Sequence, residues 1–412
     1  MVFQLARKLA ATALGQDPHD PKAVQELKQA GVPVSEAICR TCADPCNEGH
    51  EEFPKRFDVD METEMRGSVK PYRRQVVIST GKADWVREVT DERDSLAKYL
   101  SSAEDRHSGD VRKQGAPPSP SSEKKEEKHP ADTSNSTITS KQPTGVYSYK
   151  PSGRLSIVNG SHHTISDDPD TQATVLVLPD YVAVTNVPIS SAGASALWEH
   201  ALDPAVPRAG TWITPGSEEM KTWTLPYNCL IMLCSHKRRD ARCHIAAERL
   251  HEDFAYSLES EGWHVDTELE DLSSAGPPLE SIATTEEARK AAAIEQLRAL
   301  GDEDASHTEQ GSGEQHEETR PAADEQNRTG STSAQKQRKA LILKNSHIGG
   351  HKFAGNVIIY FPQGSSVWYG RVTPHEVHAI VHHTILGGKV LPQLLRGGLG
   401  IARPGCASLL DW

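Results

Sequence analysis

Two pairs of potential metal ligands stand out in this chain. Cys234 and Cys243 bracket the segment CSHKRRDARC, and far downstream His347 and His351 bracket HIGGH. Thiolate sulfur and neutral imidazole nitrogen are donors that proteins use for zinc and for iron–sulfur clusters. A cluster of two irons and two sulfides needs two protein ligands on each iron, which suits two close pairs set far apart in sequence. The donor set therefore predicts a metal site and favours a 2Fe–2S cluster.

Zinc is the competing occupant of these four residues. It accepts the same Cys2His2 set, and the H-x3-H spacing occurs in zinc fingers, but the eight residues between the cysteines exceed the usual two to four. Gly349 and Gly350 would let the backbone approach a cluster closely. Four cations are adjacent to the ligands in sequence and either favour the reduced cluster or are solvated loop charges: Arg238, Arg239, Arg242 and Lys352.

A second group of possible ligands lies near the start of the chain. Its spacing is C-x2-C-x3-C-x3-H and its members are Cys39, Cys42, Cys46 and His50. The group could hold zinc or a second redox centre, or it could be a reactive dithiol. A helix predicted from Pro374 carries four histidines without the H-E-x-x-H order of zinc proteases, so they are expected to form its polar edge: His375, His378, His382 and His383.

Composition limits the classes of protein that remain. The 412 residues carry 45 Lys and Arg against 57 Asp and Glu, and a net charge of -12 argues against a nucleic-acid partner. No apolar run approaches the roughly 20 residues of a membrane span. Seven cysteines fit a reducing compartment. Arg7 and Lys8 in the first fifteen residues, which lack acidic residues, resemble a weak mitochondrial presequence. The sequence predicts a soluble cytoplasmic protein, with mitochondria as the alternative.

Hydrophobic patterning predicts an α/β fold in two domains. Only 36% of the residues are hydrophobic, so part of the chain is expected to be disordered. Strands are predicted at Gln75–Ser79, Gly153–Asn159, Ala173–Leu178, Tyr181–Val187, Cys229–Leu233, Asn356–Phe361 and Ser366–Gly370. Helices are predicted around Ala192–Leu202, from Cys243 to Gly262, and from Pro374 to Gly387. The second half therefore has the strand, helix, hairpin and helix pattern of a thioredoxin-like domain.

The predicted domain organisation has three parts. They are an N-terminal segment (1–35), a smaller N-terminal α/β domain (36–225) with a disordered insertion (102–143), and a thioredoxin-like ferredoxin domain (226–412) with a second disordered insertion (275–339). The insertions are rich in Ser, Pro, Lys and Glu and nearly free of aliphatic residues. A short helix is predicted at Thr285–Leu300 within the second one.

The motifs resemble a known family. C-x8-C enclosing RD, then HIGGHKFAGNVIIY, then VWYGRVTP, together with CADPCNEG near the start, resemble the fungal sucrase/ferredoxin-like family, which includes the actin-patches-distal and altered-inheritance-of-mitochondria proteins. The resemblance implies a thioredoxin-like ferredoxin domain with a bis-histidinyl, non-Rieske 2Fe–2S cluster. Its ligands would be Cys234, Cys243, His347 and His351. The longer connection between the two pairs is absorbed by a surface loop at small entropic cost.

The last three residues, Leu410, Asp411 and Trp412, carry a separate signal. They resemble the tripeptide by which cytosolic iron–sulfur client proteins dock on the assembly targeting complex. The alternative is a terminal tryptophan that packs on its own domain.

The expected function is electron transfer in cellular redox homeostasis, coupled to a proton, with a reductase or acceptor that the sequence does not identify. No nucleophile, base and oxyanion constellation in the sequence supports a hydrolytic enzyme. Two alternatives stay open. One is a thiol-based redox quality-control protein that uses the N-terminal CxxC group, and the other is a zinc-binding scaffold linked to actin patch organisation.

Overall fold

A computed structural model describes residues 21–40, 42, 46, 49–113, 142–148, 153–204, 206, 220–282, 285–300 and 337–412. The helices there are α1 (Pro21–Gln29), α2 (Leu96–Lys113), α3 (Ser191–Leu197), α4 (Ala241–Ser260), α5 (Leu279–Ile282), α6 (Glu286–Arg298) and α7 (Pro374–Ala379). π-Helical turns extend α3 through Trp198–Leu202 and α7 through Ile380–Leu386. The strands are β1 (Arg74–Ser79), β2 (Val146–Tyr147), β3 (Leu155–Gly160), β4 (Gln172–Leu178), β5 (Val182–Pro188), β6 (Lys221–Thr224), β7 (Cys229–Cys234), β8 (His264–Asp266), β9 (Lys339–Asn345), β10 (Val357–Tyr360), β11 (Ser366–Tyr369) and β12 (Leu395–Leu399).

The second half of the chain has the strand order of a thioredoxin-like sheet. β7 lies in the middle, parallel to β9 on one side and antiparallel to β10 on the other, and β11 follows β10 through a hairpin. Helix α4 connects β7 to β8 and β9, and α7 follows β11. All six residues of β7 are buried, as expected for a central strand with both faces covered.

The first half repeats this arrangement. β1 is parallel to β3 and antiparallel to β4, and β4 pairs with β5 in a hairpin. Helix α2 lies between β1 and β3 in sequence, and α3 follows β5. The strand order β3-β1-β4-β5 therefore corresponds to the order β9-β7-β10-β11 of the second half. The two halves share one architecture.

The two halves join through their equivalent strands. β3 and β9 run antiparallel and meet at the pair Gly160 and Asn345. Backbone hydrogen bonds from Ser161 to Lys344 and from Ser346 to Asn159, both 2.9 Å, flank that pair. As a result, the described strands form one mixed sheet of twelve. The predicted domain boundary at 225/226 falls between β6 and β7 and stays a prediction.

Three apolar cores hold the sheet and its helices together. Helix α2 packs on the first half beside Val76 and Val175. Helix α4 contributes Leu250, Phe254 and Leu258 to the core of the second half. The remaining faces of both halves meet in a third core, with residues such as Val77 and Leu176 from the first half and Met232, Leu343 and Tyr360 from the second. Burial on this scale fixes the strands that carry the candidate ligands.

The α/β class is confirmed, and each predicted strand and helix is found within a few residues of its expected bounds. The predicted insertions need correction at their ends. Residues 102–113 continue α2, and α5 and α6 occupy much of 279–298, because Ala103, Leu279 and Ala293 are buried in the core of the first half. Residues 114–141 and 301–336 of the two predicted insertions lie outside the described residues.

Candidate metal centre

The two cysteines of the predicted site lie at the junction of β7 and α4. Cys234 is the last residue of β7, and Cys243 lies in the first turn of α4. Asp240 caps this helix, because its carboxylate accepts a hydrogen bond from the Arg242 backbone N–H at 2.9 Å. Cys234 is 2% exposed and Cys243 is 1% exposed. Both thiols therefore face the interior at the carboxyl edge of the sheet.

His347 reaches the same edge from β9. Because β9 is parallel to β7, with Asn345 opposite Cys234, the loops after both strands start side by side. The donor atoms of Cys234, Cys243 and His347 all lie within 4.8 Å of one another. Nδ1 of His347 is buried and has no hydrogen-bond partner among the described residues. A buried imidazole nitrogen without a partner costs free energy unless something binds it.

A further histidine positions the loop that carries His347. The backbone N–H of His347 donates to Nδ1 of His236 at 3.1 Å, so the proton of the His236 ring lies on Nε2. Nε2 is 2.9 Å from the carbonyl oxygen of Trp85 and donates to it. His236 is buried within the C-x8-C segment, and no role was predicted for it.

His351 lies beside this group but at its exposed edge. Its ring centroid is 5.4 Å from that of His347, and it begins a short helical turn. Gly349 and Gly350 precede it with φ of 83° and 76°, a left-handed conformation that glycine adopts without strain. His351 is exposed, whereas the two thiols are buried. The structure thus brings three of the four predicted ligands into one group and places the fourth next to it.

The basic residues that flank the ligands in sequence are paired with carboxylates. Each of the four forms an ion pair with a residue from another segment or from the helix cap. The pairs are Arg238 with Asp84 (3.4 Å), Arg239 with Glu88, Arg242 with Asp240 (2.7 Å) and Lys352 with Asp60 (3.3 Å). Their charges are largely neutralised at short range, so their effect on a bound cluster is smaller than the sequence suggested.

Arg396 of β12 supplies a buried cation instead. It is 1% exposed, and its described hydrogen-bond acceptors are neutral: the Gly349 carbonyl at 3.1 Å, Asn356 Oδ1 at 2.6 Å and Ser68 Oγ at 3.0 Å. Burial lowers the pKa of Arg396 to about 10, while the sulfurs of Cys234 and Cys243 oppose that shift. The guanidinium stays charged at neutral pH. No role was predicted for this residue, although a lone arginine in the apolar strand LRGGL is a signal of one.

The titration behaviour of the buried thiols agrees with a ligand role. The hydrogen bond from the Cys243 thiol lowers the pKa of Cys234, and His347 adds to that shift. Cys243, the donor of that bond, has a raised pKa. Of the two thiols, Cys234 is therefore the one that loses its proton more readily. Thiolate is the form of cysteine that binds metals.

Comparison with known proteins identifies the family. The model of the family described as sucrase/ferredoxin-like matches residues 65–397, a range that contains all four predicted ligands and Arg396. This chain belongs to the sucrase/ferredoxin-like family. The predicted family resemblance is thereby confirmed.

Curated relatives match over short segments. The protein called altered inheritance of mitochondria protein 32 is 54% identical over 55 residues in Debaryomyces hansenii, which covers 13% of this chain and 20% of that protein. The protein of that name in Clavispora lusitaniae is 52% identical over 52 residues, 13% of this chain and 19% of its own length. In Saccharomyces cerevisiae strain YJM789 it is 39% identical over 64 residues, 14% and 20% of the two chains. These alignments span about a fifth of the relatives' length. No solved structure matches the chain.

The members of the N-terminal ligand group differ from the predicted ones. Donor atoms of Cys42, Cys46 and His50 converge with His375 of α7, all within 4.8 Å of one another. Cys39 makes a separate contact, because its thiol donates to Oε1 of Gln393 at 3.3 Å. His375 was expected on a polar helix edge, but it is 4% exposed. Its partners lie more than 300 residues away in sequence, so no local spacing could have identified it.

The first half of the chain has positions equivalent to those of the candidate metal centre, but it has no cysteines at them. Ser79 ends β1 as Cys234 ends β7, and His162 follows β3 by two residues as His347 follows β9. Burial lowers the pKa of His162 to about 3, so its ring is neutral at physiological pH. Of these equivalent positions, only those in the second half therefore carry a candidate metal site.

The last three residues are tied to the second half through Asp411. Its carboxylate accepts hydrogen bonds from the backbone N–H groups of Ala407 and Ser408 at 2.6 and 2.9 Å. The Trp412 side chain is 42% exposed, and the Arg298 guanidinium lies 5.7 Å from its ring centroid. None of the helices in the described ranges combines the length and apolarity needed to cross a bilayer.

Proposed function

We propose that this protein carries electrons on a 2Fe–2S cluster held by Cys234, Cys243, His347 and His351. The observation that supports this most strongly is the convergence of two buried thiols and one half-buried imidazole at one sheet edge, with a second imidazole beside them. Family membership agrees with it, because the family description includes ferredoxin-like proteins.

The residues present fit such a group. Two thiols supply soft donors, and Nδ1 of His347 is buried without a partner, which is how a ligand atom would appear in a chain without its metal. The lowered pKa of Cys234 favours loss of its proton on binding, which supplies negative charge. Two thiolates and two neutral imidazoles give the site less negative charge than four thiolates would, so an added electron is more easily accommodated. The bound cluster would store and release one electron.

The cation of Arg396 adds to this effect. It is held at the site by the Gly349 carbonyl and Asn356, so it cannot swing away to solvent as a surface lysine would. Charges interact more strongly in a buried environment than in water. Arg396 therefore stabilises the additional negative charge that reduction brings.

The exposed edge of the site is the side that a redox partner reaches. The thiols are at most 2% exposed, whereas His351 is exposed. A partner that docks over His351 would come closest to the metal, and the ring can exchange a proton with solvent. Electron transfer coupled to a proton follows from this placement. The donor and acceptor are unidentified redox proteins in this proposal.

Two alternatives differ in their support. Three donors within 4.8 Å of one another also suit a single zinc ion, which keeps a zinc-binding role as the second candidate. A redox dithiol of Cys39 and Cys42 has less support. Burial raises the pKa of Cys39 to about 12, and a reactive cysteine must be a thiolate near neutral pH.

Docking of Leu410, Asp411 and Trp412 on the cytosolic iron–sulfur assembly targeting complex is part of the proposal. The exposure of Trp412 supports it. Deletion of Trp412 should lower cluster occupancy in cells without changing the fold, and unchanged occupancy would remove this point. Cytosol is the proposed compartment and mitochondria the alternative, since the relatives are named for mitochondrial inheritance.

Metal analysis of the anaerobically purified chain tests the main proposal. We expect iron and acid-labile sulfide in equal amounts, and an electron paramagnetic resonance signal after reduction. Cys234→Ser should lose the iron. Cys229→Ala is the matched control, because Cys229 is a fully buried cysteine at the other end of the same strand and should leave the iron in place. A colourless protein that holds only zinc at Cys234 would refute the electron-carrier function.

A further inference from the structure

A second set of four donors lies where Cys42, Cys46 and His50 meet His375 at the start of α7. Sγ of Cys42 is 3.0 Å from Nδ1 of His375, and Sγ of Cys46 is 3.3 Å from Nδ1 of His50. The rings of His50 and His375 are 5.0 Å apart and nearly perpendicular. Two thiols and two imidazoles therefore point at one small volume.

His375 is held in place by the start of α7. Thr373 caps the helix in a capping box with Glu376, and Pro374 occupies the first helical position. Nε2 of His375 lies 3.0 Å from the carboxylate of Glu52, so Nδ1 is the nitrogen left for the thiol side. A carboxylate on the far nitrogen is the usual way in which proteins orient a histidine that binds a metal.

We propose that Cys42, Cys46, His50 and His375 bind one structural zinc ion. Zinc bonds of ~2.3 Å to sulfur and ~2.0 Å to nitrogen place tetrahedral donors roughly 3.3–3.8 Å apart. The four donor atoms here are all within 4.8 Å of one another, so small side-chain movements complete the geometry. Four protein donors leave no position for a substrate, which is the mark of a structural site rather than a catalytic one.

The site ties Cys42, Cys46 and His50 to α7 in the second half of the protein. Beyond His50, residues 51–60 run along α4, where Glu51 pairs with Arg249 and the Asp58 carbonyl accepts from Arg242 at 2.6 Å. The next contact is the ion pair of Asp60 with Lys352, beside His351. The zinc ion anchors one end of a strap whose other end borders the first metal centre. Zinc binding thereby holds residues 51–60 over the helix that carries Cys243.

Metal content of the full-length protein tests the site. Purified without chelators, the chain should hold about one zinc ion besides any iron. Cys42→Ser and His375→Ala should each lose that zinc and keep the iron. Cys39→Ser and His378→Ala are matched controls, a cysteine three residues from Cys42 and a histidine on the same helix as His375, and should keep both metals.

X-ray absorption at the zinc edge of the wild-type protein gives an answer that does not depend on the folding of variants. We expect two sulfur and two nitrogen neighbours, and the same spectrum in Cys234→Ser. Wild-type protein that takes up no zinc, or Cys42→Ser and His375→Ala proteins that hold as much zinc as the wild type, would overturn the proposal. Zinc that is lost from Cys42→Ser and His375→Ala but not from Cys234→Ser belongs to this site, whichever metal the first centre holds.

Hydrogen exchange tests whether the zinc ion orders residues 51–60. Removal of zinc by a chelator should speed exchange in residues 51–60 at least tenfold, while exchange in β7 stays the same. Equal exchange with and without zinc would show that the ion does not hold the strap.

Discussion

Substitution of Gly350 by alanine should disrupt the loop between His347 and His351 far more than substitution of Gly349. Both glycines have positive φ, so alanine at either position incurs the same backbone strain. They differ in their surroundings. A Cβ at Gly350 would lie 2.2 Å from Nη2 of Arg396, whereas nothing lies within 4 Å of a Cβ at Gly349.

The expected magnitudes follow from these contacts. A left-handed conformation costs an alanine about 1–2 kcal/mol, which is the full effect expected for Gly349→Ala. In Gly350→Ala the buried guanidinium must also move, and it then loses its hydrogen bonds to the Gly349 carbonyl and to Asn356. Hydrogen bonds of charged groups contribute about 1.5–3 kcal/mol each. The second variant should therefore lose about 3–6 kcal/mol more than the first.

Urea denaturation followed by circular dichroism measures both free energies of unfolding, and iron content reports on the ligands. Gly350→Ala should also bind less iron, because the loop that carries His351 moves with it. In an Arg396→Met background, the cost of Gly350→Ala should fall to that of Gly349→Ala. Equal costs of the two alanine variants in the wild-type background would refute the argument that Arg396 fixes this loop.

Three further predictions concern the rest of the fold. Because the buried His162 resists protonation until about pH 3, unfolding takes up a proton as the pH falls below 6.5, and stability declines through that window. Between pH 7 and 4.5, the free energy of unfolding of the wild type should fall by about 2–3 kcal/mol more than that of His162→Gln, measured by urea titration at both pH values. Asp180→Asn breaks a buried bidentate pair with Arg74 and should cost about 3–5 kcal/mol in the same assay; a cost below 1 kcal/mol would contradict the pairing. Leu297→Ala should lower stability by about 2–5 kcal/mol and the exposed Glu295→Ala by almost nothing, and equal small effects would mean that α6 does not pack.

The repeated architecture explains why one half of the chain carries the candidate chemistry. Both halves present the end of a central strand and the loop of its parallel neighbour at one edge. Strand ends at such an edge are where α/β folds place their functional residues. Ser79 and His162 occupy that edge in the first half, but only the second half has cysteines there. The first half contributes packing surface and the strand β3 that pairs with β9.

Local patterns were sufficient for most of the elements. Apolar runs such as CLIML predict buried strands, and the spacing of Leu250, Phe254 and Leu258 predicts the buried face of α4, because both signals depend only on neighbouring residues. The boundaries of the predicted insertions were less accurate. Helix α6 has little amphipathic pattern of its own, and its order depends on contacts with distant residues that no local window contains.

The sequence by itself determined the candidate ligand types of the proposed first centre, because C-x8-C and H-x3-H place two donors each on short connected segments. Only the tertiary structure decided how donors from distant segments combine. Parallel pairing of β7 with β9 brings His347 to the cysteines. Contact of Cys42, Cys46 and His50 with α7 makes His375, and not the predicted Cys39, the fourth member of the second group. The same holds for Arg396, whose role depends on burial beside the thiols. Spacing along a chain specifies neighbours within a segment, whereas contacts between segments arise from the burial of apolar faces across the whole fold.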